Sequence, residues 1–186
     1  MTVGSLPPAK SQQAGPPAEP LLAPLGRRIG ALLYESLLIG ALVLSAGFLL
    51  APIISSINAS AQAPQMPSSM GRLLSFCGVF AVALGYCVWF WSDGRRTLPM
   101  KTWRLGLRRA DGTVVCRKTA LKRFLACWIG PALALAAYLL LKGGAYAAHG
   151  AWLIGFNFLW ALVDPDRQFL HDRISGTRIV NDREGR

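Results

Sequence analysis

Four stretches of this chain carry apolar residues almost without interruption, at residues 29–52, 73–91, 124–141 and 145–163. The first reads IGALLYESLLIGALVLSAGFLLAP and is broken only by Glu35 and two serines. Runs of roughly 18 or more apolar residues match the ~30 Å hydrocarbon core of a bilayer, so each predicts a membrane-crossing helix. Lys142-Gly143-Gly144 between the last two is too short for anything but a tight connection, which predicts a helical hairpin. The pattern gives an all-α membrane protein, a four-helix transmembrane bundle. Pairs of small residues four apart, Ser36 with Gly40, Ala81 with Gly85 and Ala132 with Ala136, would let helices approach closely, although Ala and Gly are common in any such span.

Between the second and third runs the pattern changes. Residues 92–123 hold ten Lys or Arg and two Asp. Asp111-Gly112, flanked by alternating apolar and polar residues, is a turn signal and predicts a short β-hairpin on the cytoplasmic membrane surface. Residues 1–25 are rich in Pro, Ala, Gln and Ser with no apolar period, the signature of a disordered tail. The first apolar run begins only after Arg28, so it reads as a retained signal-anchor and not as a cleaved signal. The domain expectation is a tail over 1–25, a transmembrane domain over 26–180 and a C-terminal tail over 181–186.

Charge orients this arrangement. Three Lys or Arg precede the first run, ten lie between the second and third and five follow the fourth, against one in each of the two remaining loops. Basic residues stay on the cytoplasmic side of short loops, which places both termini there, in a multi-pass protein of the cell (inner) membrane. Trp89, Trp91, Trp128 and Trp160 fall near the expected cytoplasmic ends, where an aromatic belt belongs. The same asymmetry accounts for the net charge of +11, making anionic lipid headgroups the expected partner and nucleic acid not. Cys77, Cys87, Cys116 and Cys127 show neither a CxxC pair nor a nearby His at ligand spacing, so no disulfide, metal or cofactor is expected.

Chemistry narrows to a few positions. Glu35 is the carboxylate well inside an apolar run, where a charge costs about 2.5–3.5 kcal/mol and needs a partner. Arg28, seven residues earlier, falls on nearly the same helix face about 10 Å nearer the cytoplasm. Arg123, Asp164, His171 and Asp172 are further groups within reach. Such a cluster either locks helices through a satisfied Arg–Glu pair or binds and releases a proton or cation. His171 beside Asp172 has no Ser or Cys nucleophile at a recognisable spacing, and Gly143-Gly144 lacks the rest of a phosphate loop. No enzyme is expected and no catalytic residue is assigned.

Three ordered stretches, RRIGALLYE (27–35), GRRTLPMKTWRLGLRRADG (94–112) and RQFLHDRISGTRIV (167–180), resemble the RDD family of membrane proteins, named for an arginine and two aspartates. Carried over, the family arginine falls on Arg28, the first acid on Glu35, which departs from aspartate by one methylene, and the last aspartate on Asp172. The resemblance implies that GTRIV (176–180) pairs with the strand around residues 103–107, gathering Arg28, Glu35, His171 and Asp172 at the cytoplasmic mouth of the bundle. It also implies a transport-related role, some family members resembling sodium and proton antiporters. The expectation is therefore a protein handling a cation, a proton or a small charged solute, with a homo-oligomer or partner membrane subunit because four helices are few for a conducting path. The competing expectation is a non-transporting scaffold whose basic loop docks anionic lipid or a partner protein.

Overall fold

The computed structural model describes residues 21–57, 69–141 and 145–182. Residues 1–20 of the expected tail over 1–25, the loop at 58–68, the connection at 142–144 and residues 183–186 lie outside the described residues, whereas residues 21–25 are ordered against the closing sheet and the start of the first helix. Helix α1 runs Leu25–Ile57 and α2 Ser69–Trp91; α1 overruns its apolar stretch at both ends and α2 at its start. At 1.5 Å per residue α1 is about 50 Å long, more than a bilayer core requires. Its outward side chains are apolar, Leu37, Leu44 and Phe48 being 74%, 76% and 83% exposed, while Arg28, Arg123 and Asp172 are buried. Apolar outside and ionic inside is an arrangement that lipid, not water, stabilises.

Among the described residues three helices are long and apolar enough to cross a membrane, at Leu25–Ile53, Ser69–Trp91 and Arg117–Leu140. The third departs from expectation at its start. It begins seven residues earlier than the apolar run, because α4 (Arg117–Cys127) carries Arg123 inward while Arg117 and Lys118 stay exposed. It is also broken at Trp128 before α5 (Ile129–Leu140) resumes. Pro131 explains the break, since it has no N–H to give the Cys127 carbonyl and its ring crowds that oxygen. The freed carbonyls of Ala126 and Cys127 accept hydrogen bonds from Asn157 Nδ2, at 3.1 and 2.8 Å.

Asn157 lies in the region expected as a fourth uniform helix. Instead this region winds as a 3-10 helix over Ala145–Gly155, a short α6 over Phe156–Leu159 and a further 3-10 turn over Trp160–Leu162. It packs tightly on α5: a Cβ placed on Gly130 would meet the Ile154 carbonyl oxygen at 2.5 Å. Single glycines, not pairs four apart, mark the tight contacts. Gly78 faces Leu50 across α1 and α2, whereas a Cβ added at Gly40 or Gly85 would meet nothing within 4 Å.

One end of the bundle is closed by a small antiparallel sheet. Strand β1 (Leu105–Arg109) pairs with β2 (Thr177–Asn181), with Leu107 opposite Ile179. The Asp111-Gly112 turn forms, with Thr113 N–H donating to Asp111 Oδ1 at 2.9 Å and Gly112 at φ +80°. The expected local hairpin, however, reduces to a single bridge between Arg108 and Val114. The reason is that Val115 turns inward, 1% exposed, to lead into α4, and leaves β1 to a partner from far along the chain. The segment at 21–23 lies on the other edge of β2, with Ala23 N–H donating to the Ile179 carbonyl and Asn181 N–H to that of Leu21.

The basic stretch before β1 holds a short helix, α3 (Leu98–Thr102), capped by Thr97, whose hydroxyl accepts from Met100 N–H. It delivers Trp103 onto Gly30, where a Cβ would come within 2.7 Å of the ring. Arg27 secures the junction by donating to the Trp103 carbonyl and, at 2.9 Å, to Asn181 Oδ1.

Candidate functional site

Strand β2 is preceded by α7 (Leu170–Ser175), which ends on Gly176 in the left-handed region at φ +66°. A side chain is disfavoured there, and the sharp stop turns the chain straight from helix to strand. Asp172 and Thr177 are thereby brought to the same point. Arg123, from α4, enters between them: its Nη1 pairs with Asp172 Oδ1 and donates to Thr177 Oγ1 at 3.0 Å, and Thr177 Oγ1 donates to Asp172 Oδ1 at 3.2 Å. Nη2 approaches His171 Nε2 at 3.5 Å. The pair is almost sealed, Arg123 being 3% and Asp172 1% exposed.

Arg123 also lies over the ring of Trp91, 4.8 Å from its centroid, and the Trp91 indole N–H donates to Glu35 Oε1 at 3.3 Å. The polar groups thus form one connected line from Glu35 through Trp91 and Arg123 to Asp172. Arg28 stands beside it. Its guanidinium sits over Phe169 at 5.8 Å, within cation–π range, and Phe169 stacks on His171.

Arg28, Glu35, Arg123 and His171 all face one cavity of about 260 Å³. The rest of its wall is mainly apolar, including Ile39, Ala83, Phe124 and Pro131. Arg28 and Glu35 therefore share a helix face as their spacing implies, but they do not bond to each other; among the described residues Glu35 is held by Trp91, and the Arg28 side chain makes neither hydrogen bond nor ion pair. The matched Arg28–Glu35 lock expected from sequence is absent. Asp172 lies behind the cavity wall, and the arginine that holds it is Arg123. Asp164 does not reach Glu35 either; its Oδ2 accepts from Asp166 and Gln168 N–H at 3.1 and 3.0 Å, and its Oδ1 faces Arg173 at 3.4 Å.

The model of the RDD family matches residues 22–176. The chain belongs to the RDD family. The matched region takes in the apolar helices and the cavity with its polar line, so this is an RDD-family membrane protein. No curated protein and no solved structure matches it. The residue that sequence reasoning leaves among the secondary candidates for the RDD-family site, Arg123, carries one signal: it is the last basic residue before an apolar run, and so the one drawn inward when that helix extends.

His171 is a neutral component of this RDD-family cluster. Burial lowers its pKa from 6.5 to about 4, with Asp172 opposing the shift and Arg123 adding to it. The unfolded chain takes up this proton near pH 6.5 while the native ring does not. The stabilising contribution is therefore complete above about pH 6.5 and declines as pH falls toward the native value. Between pH 7 and pH 5 the expected loss is about 2 kcal/mol, and His171→Gln removes that part of the pH dependence. Unfolding of both proteins in detergent at the two pH values measures it; parallel curves would show that His171 is not the group responsible.

Proposed function

We propose that this RDD-family protein is a non-enzymatic, transport-related component of the cell (inner) membrane, and that the cavity between α1, α2 and α4 is where a small charged solute is taken up. The observation that carries this reading is the combination of two arginines and a glutamate on the wall of one 260 Å³ cavity inside apolar helices. Ionisable groups are costly within a membrane and are concentrated where a solute or ion passes. Glu35 is suited to the coupling role because its neighbours Trp91 and Arg123 can follow a change in its charge.

In this reading the segment at 145–162 completes a four-helix bundle by crossing as the return arm of a hairpin with α5. The count of eighteen Lys and Arg on one side against two on the other supports a topology with both termini and the sheet in the cytoplasm. The cavity then opens near the cytoplasmic face, and a second copy or a partner subunit supplies the remainder of the path.

A second reading draws on the basic surface. Arg95 stacks on Trp89 at 4.0 Å, and Arg117 and Lys118 rim an apolar groove with Leu84 and Val88, which suits anionic lipid and a scaffold role. Flux decides between the two. In liposomes matched for insertion, the wild type is expected to carry proton- or sodium-dependent flux that Glu35→Gln, which keeps shape but not charge, reduces at least about tenfold. Absence of flux in both proteins with normal insertion supports the scaffold.

A further inference from the structure

Among the described residues the charge that Arg28 carries into the cavity meets the Phe169 ring but no acid and no hydrogen-bond acceptor. The residue is 4% exposed, and its Nε is buried without an acceptor. The two acids whose field reaches it are Asp172 and Asp164. Asp172 is paired with Arg123 and bonded to Thr177, and Asp164 is engaged by Arg173 and two backbone N–H groups. Arg123 shares the unbonded Nε but differs at its Nη atoms, which already meet Asp172, Thr177 and His171. A guanidinium withdrawn from water and left without acceptors is strongly unfavourable unless something else supplies them.

The remaining wall says what that something resembles. Away from Arg28 it is formed by Ile39, Ala83, Phe124 and Pro131, surfaces that favour an apolar body. The volume of about 260 Å³ exceeds the ~150 Å³ that accommodates a benzene ring. A bare cation is served poorly: hard cations gather several oxygen ligands, and the lining side chains offer those of Glu35 and Ser36, with two arginines nearby. Glu35 does not contest an anion at Arg28, because it lies about 10 Å further along the helix, bonded to Trp91 and facing Arg123.

We infer that the solute taken by this cavity is a small organic carboxylate with a ring-sized apolar body, its carboxylate on Arg28 and its body against the nearby apolar wall of Leu32, Phe158 and Pro131. The inference rests on the reading of the cavity as a solute site and names the class of solute. Arg presents a planar fork that matches a carboxylate with two parallel hydrogen bonds, which Gln and Lys cannot reproduce.

The test uses the full chain in detergent, with phenylacetate as probe and acetate, phenylacetamide and phenethylamine as controls, read by isothermal titration and by thermal shift. Phenylacetate is expected to bind and raise the melting temperature; acetate lacks the body, phenylacetamide the charge and phenethylamine the correct sign, and each should bind at least about tenfold more weakly. Arg28→Gln should weaken phenylacetate by about tenfold or more while leaving the unliganded melting temperature unchanged or higher, because an unpaired buried charge has been removed. Leu32→Trp, which fills the cavity one helical turn beyond Arg28 and keeps Arg28, should also abolish binding. Phenylacetate binding that Arg28→Gln leaves intact overturns the assignment. Binding of phenethylamine in place of phenylacetate overturns the anion while leaving the cavity a solute site. Silence of every probe in a protein that shows flux overturns the inference alone, and silence together with absent flux removes the transport reading as well.

Discussion

Asp172→Asn is expected to destabilise this protein by about 3–5 kcal/mol. Asparagine keeps the shape of the side chain and an oxygen for Thr177. What it removes is the charge opposite Arg123, in a place where both partners are almost fully withdrawn from solvent. The cost arises from stranding the guanidinium, not from losing the attraction as such, since assembling the pair from water already carried a large desolvation penalty. Two consequences separate this account from simple loss of packing. Arg123→Gln should cost a similar amount, and the two changes together less than their sum, because each leaves the other's charge unopposed only when made alone. Replacing both by apolar residues, Arg123→Met with Asp172→Leu, should recover part of the loss. Denaturant unfolding of the four variants in detergent measures all of this; an Asp172→Asn cost below about 0.5 kcal/mol would show that the pair is not what holds α4 to α7.

Asn157→Leu is the second. It keeps the branching of the side chain but strands the carbonyls of Ala126 and Cys127, and a buried acceptor left without a donor costs about 1–3 kcal/mol. The expected loss is therefore about 2–4 kcal/mol. The diagnostic partner is Pro131→Ala. With an N–H restored at 131 the Cys127 carbonyl regains a helical partner, so the proline replacement should recover stability in the Asn157→Leu background while doing little in the wild type. Thermal unfolding of the four proteins supplies the comparison. If Pro131→Ala gives no recovery, the break at Trp128 has another origin.

Much of this architecture is legible in one dimension because a bilayer imposes a length and a composition on what crosses it. The end of α2 at Trp91 and the polar character of the surrounding connections follow from apolar runs alone. The shared face of Arg28 and Glu35 follows from helical period. The pairing of β1 with GTRIV follows from the family resemblance and not from any local signal, as the strand's own neighbourhood argues for a hairpin. What one dimension hides is the identity of neighbours. Spacing puts Arg28 and Glu35 on one stripe, but whether they meet depends on Trp91, which arrives from α2 and takes Glu35 for itself. Arg123 and Asp172 are 49 residues apart, and nothing in either segment marks the other. The winding of 145–162 is hidden for a related reason: composition reports how apolar a segment is, whereas its pitch is set against the backbone of α5 at Gly130.

The sheet that closes one end of the bundle joins residues from the opening, middle and closing portions of the described chain, at Leu22, β1 and β2. Chains are made and inserted from the N-terminus onward, and pairings distant in sequence form late. Helices α1 to α5 therefore enter the membrane before Asp172 and β2 exist. During that interval Arg123 lacks its ion-pair partner and Leu105 and Leu107 lack the strand that covers them. Synthesis of α7 and β2 pairs the first and shields the second in a single event. A chain interrupted before Asp172 thus leaves Arg123 buried among its helices without its ion-pair partner, the costly state that the closing sheet removes.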